Sequence, residues 1–369
     1  MNNAAYYFEH RQLLFSLLGA YLNSQKKEFS LKEEDFRFLF SFAKEHKIAA
    51  LCYFALDYQG VFSDPKIKKA FESKYAANLK KTIVFEEERE RLYEFLNANK
   101  IHFLPLKGIL MNNEYPEYGM REFADNDILF DKRYAKKVKE FFVKDGYEVE
   151  SYGTGAHDTY LKAPVLNFEM HRTLFTSSEN TKDSLAFFRN ILQESMVKEG
   201  YEHYLNDELY YAYFIAHTHK HFAGGGCGVR SLVDIYLYLK HHELKREILD
   251  GALDEMKLKD FEKEISELSF KSLEGKELSK EEEDTLLYIM SSGAYGTLAH
   301  HIQNSLKKGS KARYLLRRIF PPLSFYKETH PIAYYSIIGI PLVWASRLLR
   351  ALFFKRSRIK DEMDALKDQ

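Results

Sequence analysis

The 369-residue chain has two cysteines, Cys52 and Cys227, and neither sits in a CxxC pair or beside a histidine cluster. That excludes a disulfide framework and a structural zinc site, and it fits a reducing cytoplasm. Net charge is also missing, since 54 Lys plus Arg balance 54 Asp plus Glu. The bulk basicity of a protein that coats nucleic acid is therefore absent. A secretory leader is not read at the N-terminus, because the apolar stretch Leu13 to Leu22 follows Glu9, His10 and Arg11 and lacks a small-residue cleavage site. No internal repeat is evident, and no apolar run reaches the about 20 residues of a membrane-spanning helix.

A hydrophobic content of 45% over this length is enough for two packed units. Residues 1–99 read as a helical region. Leu14, Leu17, Leu18 and Tyr21 recur at helical steps, Ser30 and Glu33 are spaced as a capping box, and Ser63-Asp64-Pro65 opens a further helix. From residue 100 to 183 the period changes. Ile101 to Leu106 is a short apolar strand ending at the turn Lys107-Gly108, and Asp125 to Phe130 is a second strand. Tyr134 to Lys144 is a helix stopped at Gly146, followed by extended segments at 147–152, 157–163 and 165–171. This order predicts an α+β fold in which a small mixed β-sheet is flanked by N-terminal and C-terminal helical regions. Residues 184–320 read as a second helical domain, broken at Gly224 to Gly228, and residues 321–369 as a basic amphipathic tail.

Chemistry concentrates in the middle segment. Asp125 and Asp127 are two residues apart at the start of a strand, so their side chains share a face, roughly 6–7 Å apart at the backbone. Hard carboxylate oxygens of this kind suit Mg²⁺ or Mn²⁺, with substrate phosphates completing the shell. On the last of the extended segments, alternation sets Asn167, Glu169 and His171 on one face, opposite Phe168 and Met170. If that strand lies beside the first, Glu169 becomes a third carboxylate of a metal cluster of the type used in nucleotidyl transfer. Lys107 and Arg121 are placed to supply positive charge to a triphosphate.

The series Leu106-Lys107-Gly108, Arg121 with Asp125-x-Asp127, Glu169-x-His171, His217-x-x-Lys220-His221-Phe222 and Arg230-x-x-x-Asp234 resembles a largely uncharacterised bacterial nucleotidyltransferase family. That family lies within the polymerase-β-like superfamily. The resemblance implies metal-dependent transfer of a nucleoside monophosphate from an NTP to a hydroxyl, with Asp125, Asp127 and Glu169 as metal ligands. On the residues themselves, Lys107, Gly108 and Arg121 are read as binding nucleotide or phosphate, and His217, Lys220 and Asp234 as lining the cleft from the helical domain. The wider superfamily has Gly-Ser in the first turn, where this chain has Lys107-Gly108. Asn126 and Ala124 also replace residues more usual beside the acidic pair.

Each residue has an ordinary structural alternative. Glu169 on a half-exposed strand can face water, Lys107 or Arg121 can pair with Glu114 or Glu122, and His217 and His221 share a helix face without a third metal ligand. Two other functions stay open: a catalytically silent nucleotide-binding scaffold, or a toxin-type nucleotidyltransferase acting on tRNA or protein. Nucleic acid is disfavoured by the lack of clustered Lys and Arg around residues 100–175.

The balanced charge conceals an asymmetry. Between Thr285 and Lys360 thirteen Lys or Arg face one acid, Glu328, so that segment carries +12 and the rest of the chain −12. Inside it, Pro331 to Ser346 is uncharged and apolar. The expectation is a segment lying at a membrane surface, at the inner face of a cytoplasmic membrane, near a cell-envelope or polysaccharide acceptor. The alternative is a tail helix packed on the catalytic core.

Overall fold

A computed structural model describes residues 3–307, 309–336, 338–354 and 362–366. Of the tail and its flank, Lys308, Ile337, Lys355, Arg356, Arg358 and Lys360 lie outside the described residues. The N-terminal region is helical, as the periodicity predicts: α1 (Asn3–Leu22), α2 (Glu33–Glu45), α3 (Ala49–Gln59) and the long α4 (Pro65–Ala98). Leu14, Leu17 and Leu18 are fully buried in the helical core. Asp64 caps α4 by accepting from the Lys66 N–H at 2.8 Å, and Pro65 occupies the first turn. The capping box expected from Ser30 and Glu33 is not formed. Helix α2 begins at Glu33 itself, and the carboxylate of Asp35 accepts from the Lys32 N–H at 2.8 Å instead.

The sheet follows: β1 (Phe103–Pro105), the single turn α5 (Gly108–Met111), β2 (Asn126–Phe130), α6 (Ala135–Lys144), β3 (Glu148–Ser151), β4 (His157–Lys162) and β5 (Leu166–His171). Two short helices, α7 (Lys182–Phe187) and α8 (Ile191–Glu194), precede β6 (Met196–Glu199) and β7 (Glu202–Tyr204). The seven strands lie in the order β3-β4-β5-β2-β1-β7-β6. Pairing is mixed: β2 with β5 and β1 with β7 are parallel, and the other neighbours are antiparallel. The chain is therefore α+β, mostly helical, with a mixed sheet at its centre.

The sheet does not stop at residue 183. Strands β6 and β7 add to the edge of β1, where the Phe103 N–H donates to the Tyr201 carbonyl at 3.0 Å. The sequence hides them because every residue of β6 is exposed, so no apolar alternation marks the strand.

The remaining helices are α9 (Asp207–Gly224), α10 (Val229–His241), α11 (Arg246–Met256), α12 (Lys259–Glu274), α13 (Lys280–Met290) and α14 (Leu298–Lys307). The tail forms α15 (Lys311–Ile319), α16 (Leu323–Thr329), α17 (Pro331–Tyr334) and α18 (Gly339–Phe354).

Strand alternation sorts the sheet's two faces between two cores. Phe103, Ile128, Phe130, Phe168 and Met170 pack with α4 and α6 residues such as Phe85, Leu92, Val138 and Phe142. Leu104, Leu106 and Leu129 join the larger core of α1, α3, α9, α10 and α12. Asp127 and Glu169 alternate with the first set, so they face the helical body.

His46, just past α2, ties three helix ends together. Its Nε2–H donates to the Met290 carbonyl at 3.0 Å and its Nδ1 accepts from the Val229 N–H at 3.1 Å, a neutral ring with both nitrogens used. Burial pushes this imidazole down to about 4, against about 6.5 in an unfolded chain. Between those values the unfolded chain binds a proton that the native one refuses. Stability from this group is complete above pH 6.5 and falls by ~3 kcal/mol as pH drops to 4. In urea titrations, His46→Ala is expected to be less stable by roughly 2–4 kcal/mol at pH 7, because two buried backbone groups lose their partner. The gap to the wild type should narrow toward pH 4, and a constant gap would contradict the buried neutral ring.

Candidate active site

Asp125 immediately precedes β2 and Asp127 lies within it. The parallel register sets Asp127 opposite Glu169 of β5, which brings the three carboxylates to one place. Each offers an oxygen within 4.8 Å of the others. Between the two aspartates, Asn126 is buried on the opposite face, where its Oδ1 accepts from Arg89 of α4 at 3.1 Å. The spacer thus anchors the strand to α4 while the aspartates point away from it. Lys81, also on α4, donates to the Phe123 carbonyl at 2.7 Å and fixes the approach to the strand.

Asp127 is the most constrained member. Its Oδ1 accepts from Lys107 Nζ and pairs with His171 Nε2, both at 2.7 Å. Against burial, which alone would raise it, Lys107 and His171 hold the Asp127 carboxyl well below the usual range. Its neighbours move the other way. Burial, then the charge of Asp127, pushes Asp125 up to about 6. Burial, then Asp127 and Asp125, pushes Glu169 up to about 8. Burial and the closeness of the three carboxylates make their joint ionisation costly, a cost that a divalent cation would offset.

Lys107 is held in a strained backbone conformation, φ 45° and ψ −119°, that residues with a side chain rarely adopt. Such strain costs about 1–3 kcal/mol and persists only where neighbours fix it. Here the Leu106 N–H donates to the Asp127 carbonyl at 3.0 Å and the Tyr210 hydroxyl donates to the Lys107 carbonyl at 2.7 Å. The ammonium is consequently delivered to Asp127. Gly108 is small for a different reason: a Cβ there would lie 2.7 Å from Arg121 Nη1.

Arg121 does not offer its charge to the cleft. Its guanidinium is buried and donates to both carboxylate oxygens of Asp234, at 2.9 and 2.8 Å, while the Tyr115 hydroxyl donates to the same carboxylate at 2.8 Å. The alternative partners read from the sequence do other work. Glu114 pairs with His241 and His242, and Glu122 accepts from the Ala49 N–H at the start of α3.

Helix α9 forms the facing wall. His217 and His221 meet at 3.1 Å through their Nε2 atoms, and burial lowers the pKa of both. Lys220 is half-buried beside them and makes no hydrogen bond or ion pair with any described residue; burial, then Lys107, lowers its pKa. A half-buried ammonium without a partner is a standing cost that an anion would relieve.

All nine residues expected at the site line a single cleft of about 380 Å³: Lys107, Gly108, Arg121, Asp125, Asp127, Glu169, His217, Lys220 and Asp234. His157, Arg230 and Tyr295 line it too and were not expected there. His157 arrives through the antiparallel β4–β5 register, opposite His171, and with Glu169 and His171 it forms a second group able to hold a metal. Nothing local marks a lone histidine for this. Arg230 had a usable signal in its spacing to Asp234, and its guanidinium donates to the Glu122 carbonyl.

Residues 32–270 match the model of a family described as uncharacterised nucleotidyltransferase. The chain belongs to that family. Every residue of the cleft named above except Tyr295 falls inside the matched span. No curated protein and no solved structure matches the chain. Family membership makes it a nucleotidyltransferase with a nucleotide substrate, and the acidic group in its cleft is one that could hold a metal.

Two lysine and arginine positions in this cleft separate cleanly by experiment. Arg121→Ala leaves the buried Asp234 charge with only the Tyr115 hydroxyl, so urea unfolding should show a loss of about 3–5 kcal/mol. Lys220→Ala removes no partner and should shift stability by less than ~1 kcal/mol while weakening NTP binding in calorimetry. The reverse ranking of the two variants would contradict the assignment.

Proposed function

We propose that this nucleotidyltransferase moves a nucleoside monophosphate from an NTP to a hydroxyl acceptor, with a divalent cation held by Asp125, Asp127 and Glu169. The convergence of these three carboxylates across the β2–β5 register is the observation that supports the reading most. The donors fit such an ion: they are hard oxygens, and burial first, then the neighbouring carboxylates, makes the charged forms of Asp125 and Glu169 costly. When bound, Mg²⁺ or Mn²⁺ would polarise the α-phosphate and offset charge on the departing pyrophosphate.

The protein's own groups have distinct tasks. Lys220 and Arg230 approach the cleft from α9 and α10 and receive the polyphosphate, with Lys107 bridging between it and Asp127. His171 fixes Asp127 through the 2.7 Å contact and so orients a metal-binding carboxylate. In the transfer, the acceptor oxygen bonds to the α-phosphorus, the bond from that phosphorus to the α–β bridging oxygen breaks, and pyrophosphate leaves. Glu169, half-exposed on the cleft, takes the acceptor's proton. Arg121 and Asp234 serve as the wall that holds this geometry. Both cysteines are unpaired and buried, which suits enzymatic work in the cytoplasm.

The direct test incubates the protein with each α-labelled NTP, Mg²⁺ or Mn²⁺ and a cell extract, and follows label into protein, RNA, lipid or small molecules. Asp125→Ala and Glu169→Gln remove a ligand without stranding Lys107 or His171, so both should fold. Each is expected to cut transfer by about 100-fold or more, the scale of losing one charge-stabilising group at a transition state. Unchanged labelling by either folded variant would sink the proposal.

A further inference from the structure

Helix α15 is mounted the wrong way round for a surface helix. Such helices ordinarily turn an apolar stripe to the core and charges to water. Along Lys311–Ile319 the apolar residues Ala312, Leu315, Leu316 and Ile319 share one face, and Arg313, Tyr314 and Arg317 the other. The protein grips the polar side. Tyr314 and Arg318 both donate to Glu362, at 2.6 and 2.8 Å, and Arg317 pairs with Glu179 at 3.3 Å. The apolar side is not buried in exchange: Leu315 is half-buried, but Leu316 is 59% and Phe320 54% exposed.

Helix α18 repeats the pattern. Trp344 stacks on Phe320 with ring centroids 5.2 Å apart, and Arg347 lies over the Phe325 ring, which joins α18 to the end of α15 and to α16. Opposite those contacts Ile338, Leu342 and Leu349 follow at helical spacing and are 65%, 63% and 55% exposed. Large apolar side chains turned outward on both helices mark a docking surface. From Thr285 to Lys360 the chain carries thirteen Lys or Arg against Glu328, and of these Arg317 and Arg318 are paired with Glu179 and Glu362.

From these two helices we propose that the C-terminal arm docks on the surface of an anionic lipid bilayer, with Leu316, Phe320, Leu342 and Leu349 entering the headgroup boundary. A spanning role does not fit: α18 has 16 residues, about 24 Å at 1.5 Å per residue, short of the about 30 Å hydrocarbon layer. No described helix is long and apolar enough to cross a membrane. RNA would satisfy the basic residues but gives the outward leucines nothing to bury against, whereas interfacial helices use both. The proposal goes beyond the transfer reaction and stands independently of it.

Trp344 is the only tryptophan in the chain, so intrinsic fluorescence reports the arm directly. Full-length protein is floated with phosphatidylcholine vesicles, with and without phosphatidylglycerol, while Trp344 emission is recorded. Binding is expected to the anionic vesicles, with a blue shift and a decline at high salt. Leu316→Glu with Leu342→Glu changes only exposed positions, so the fold should persist by circular dichroism, and vesicle affinity should fall on the order of tenfold or more. Equal flotation of this variant would overturn the proposal. So would retention of duplex RNA by the wild type without any vesicle binding.

Discussion

Arg121 lies in the segment between β1 and β2, and Asp234 lies on α10. Their two buried hydrogen bonds therefore fasten the sheet to the helical body at one fixed distance, in surroundings where either charge alone would be intolerable. Both residues line the cleft. Gly108 leaves room for the guanidinium, Tyr115 completes the carboxylate's hydrogen bonds, and Lys107 is left over the acid cluster in a conformation its neighbours enforce. A planar guanidinium with a bidentate grip restrains orientation as well as distance, which an ammonium could not do. One wall of the cleft is thus built from two charges that satisfy each other, while Lys220 on the facing helix has no such partner among the described residues.

The second determinant is register. A one-residue slip between β2 and β5 would turn Glu169 into the α4–α6 core and bring Phe168 to the cleft. Ile128, Phe130, Phe168 and Met170, packed under α4 and α6, make that slip expensive. Apolar packing on one face of the sheet therefore fixes the acid cluster on the other.

How much of this could be read in the amino-acid order follows from how local each signal is. The strands between residues 101 and 171, the α6 helix with its Gly146 stop, and the shared face of Asn167, Glu169 and His171 all rest on nearest-neighbour periodicity, and they stand in the structure where that periodicity sets them. Strand β6 was illegible because an edge strand exposed along its length has no alternation to show, and β7, beside it, is only three residues long. The role of Arg121 was illegible for another reason. Its partner is 113 residues away, so its own neighbourhood suggests a free cation, and nothing in spacing tells a phosphate-binding arginine from a buried structural one. His157 is the same kind of case, since only the β4–β5 pairing brings it beside Glu169.

The central claim is that Asp125, Asp127 and Glu169 form one divalent-cation centre facing the polyphosphate cations of α9 and α10. A crystal structure of the protein with Mn²⁺ and a non-hydrolysable NTP tests it most directly, because manganese can be located by its anomalous signal. The predicted result is a manganese peak bridging the three carboxylates, with the polyphosphate reaching Lys220. A peak elsewhere, or a nucleotide bound with its phosphates turned away from these residues, would contradict it.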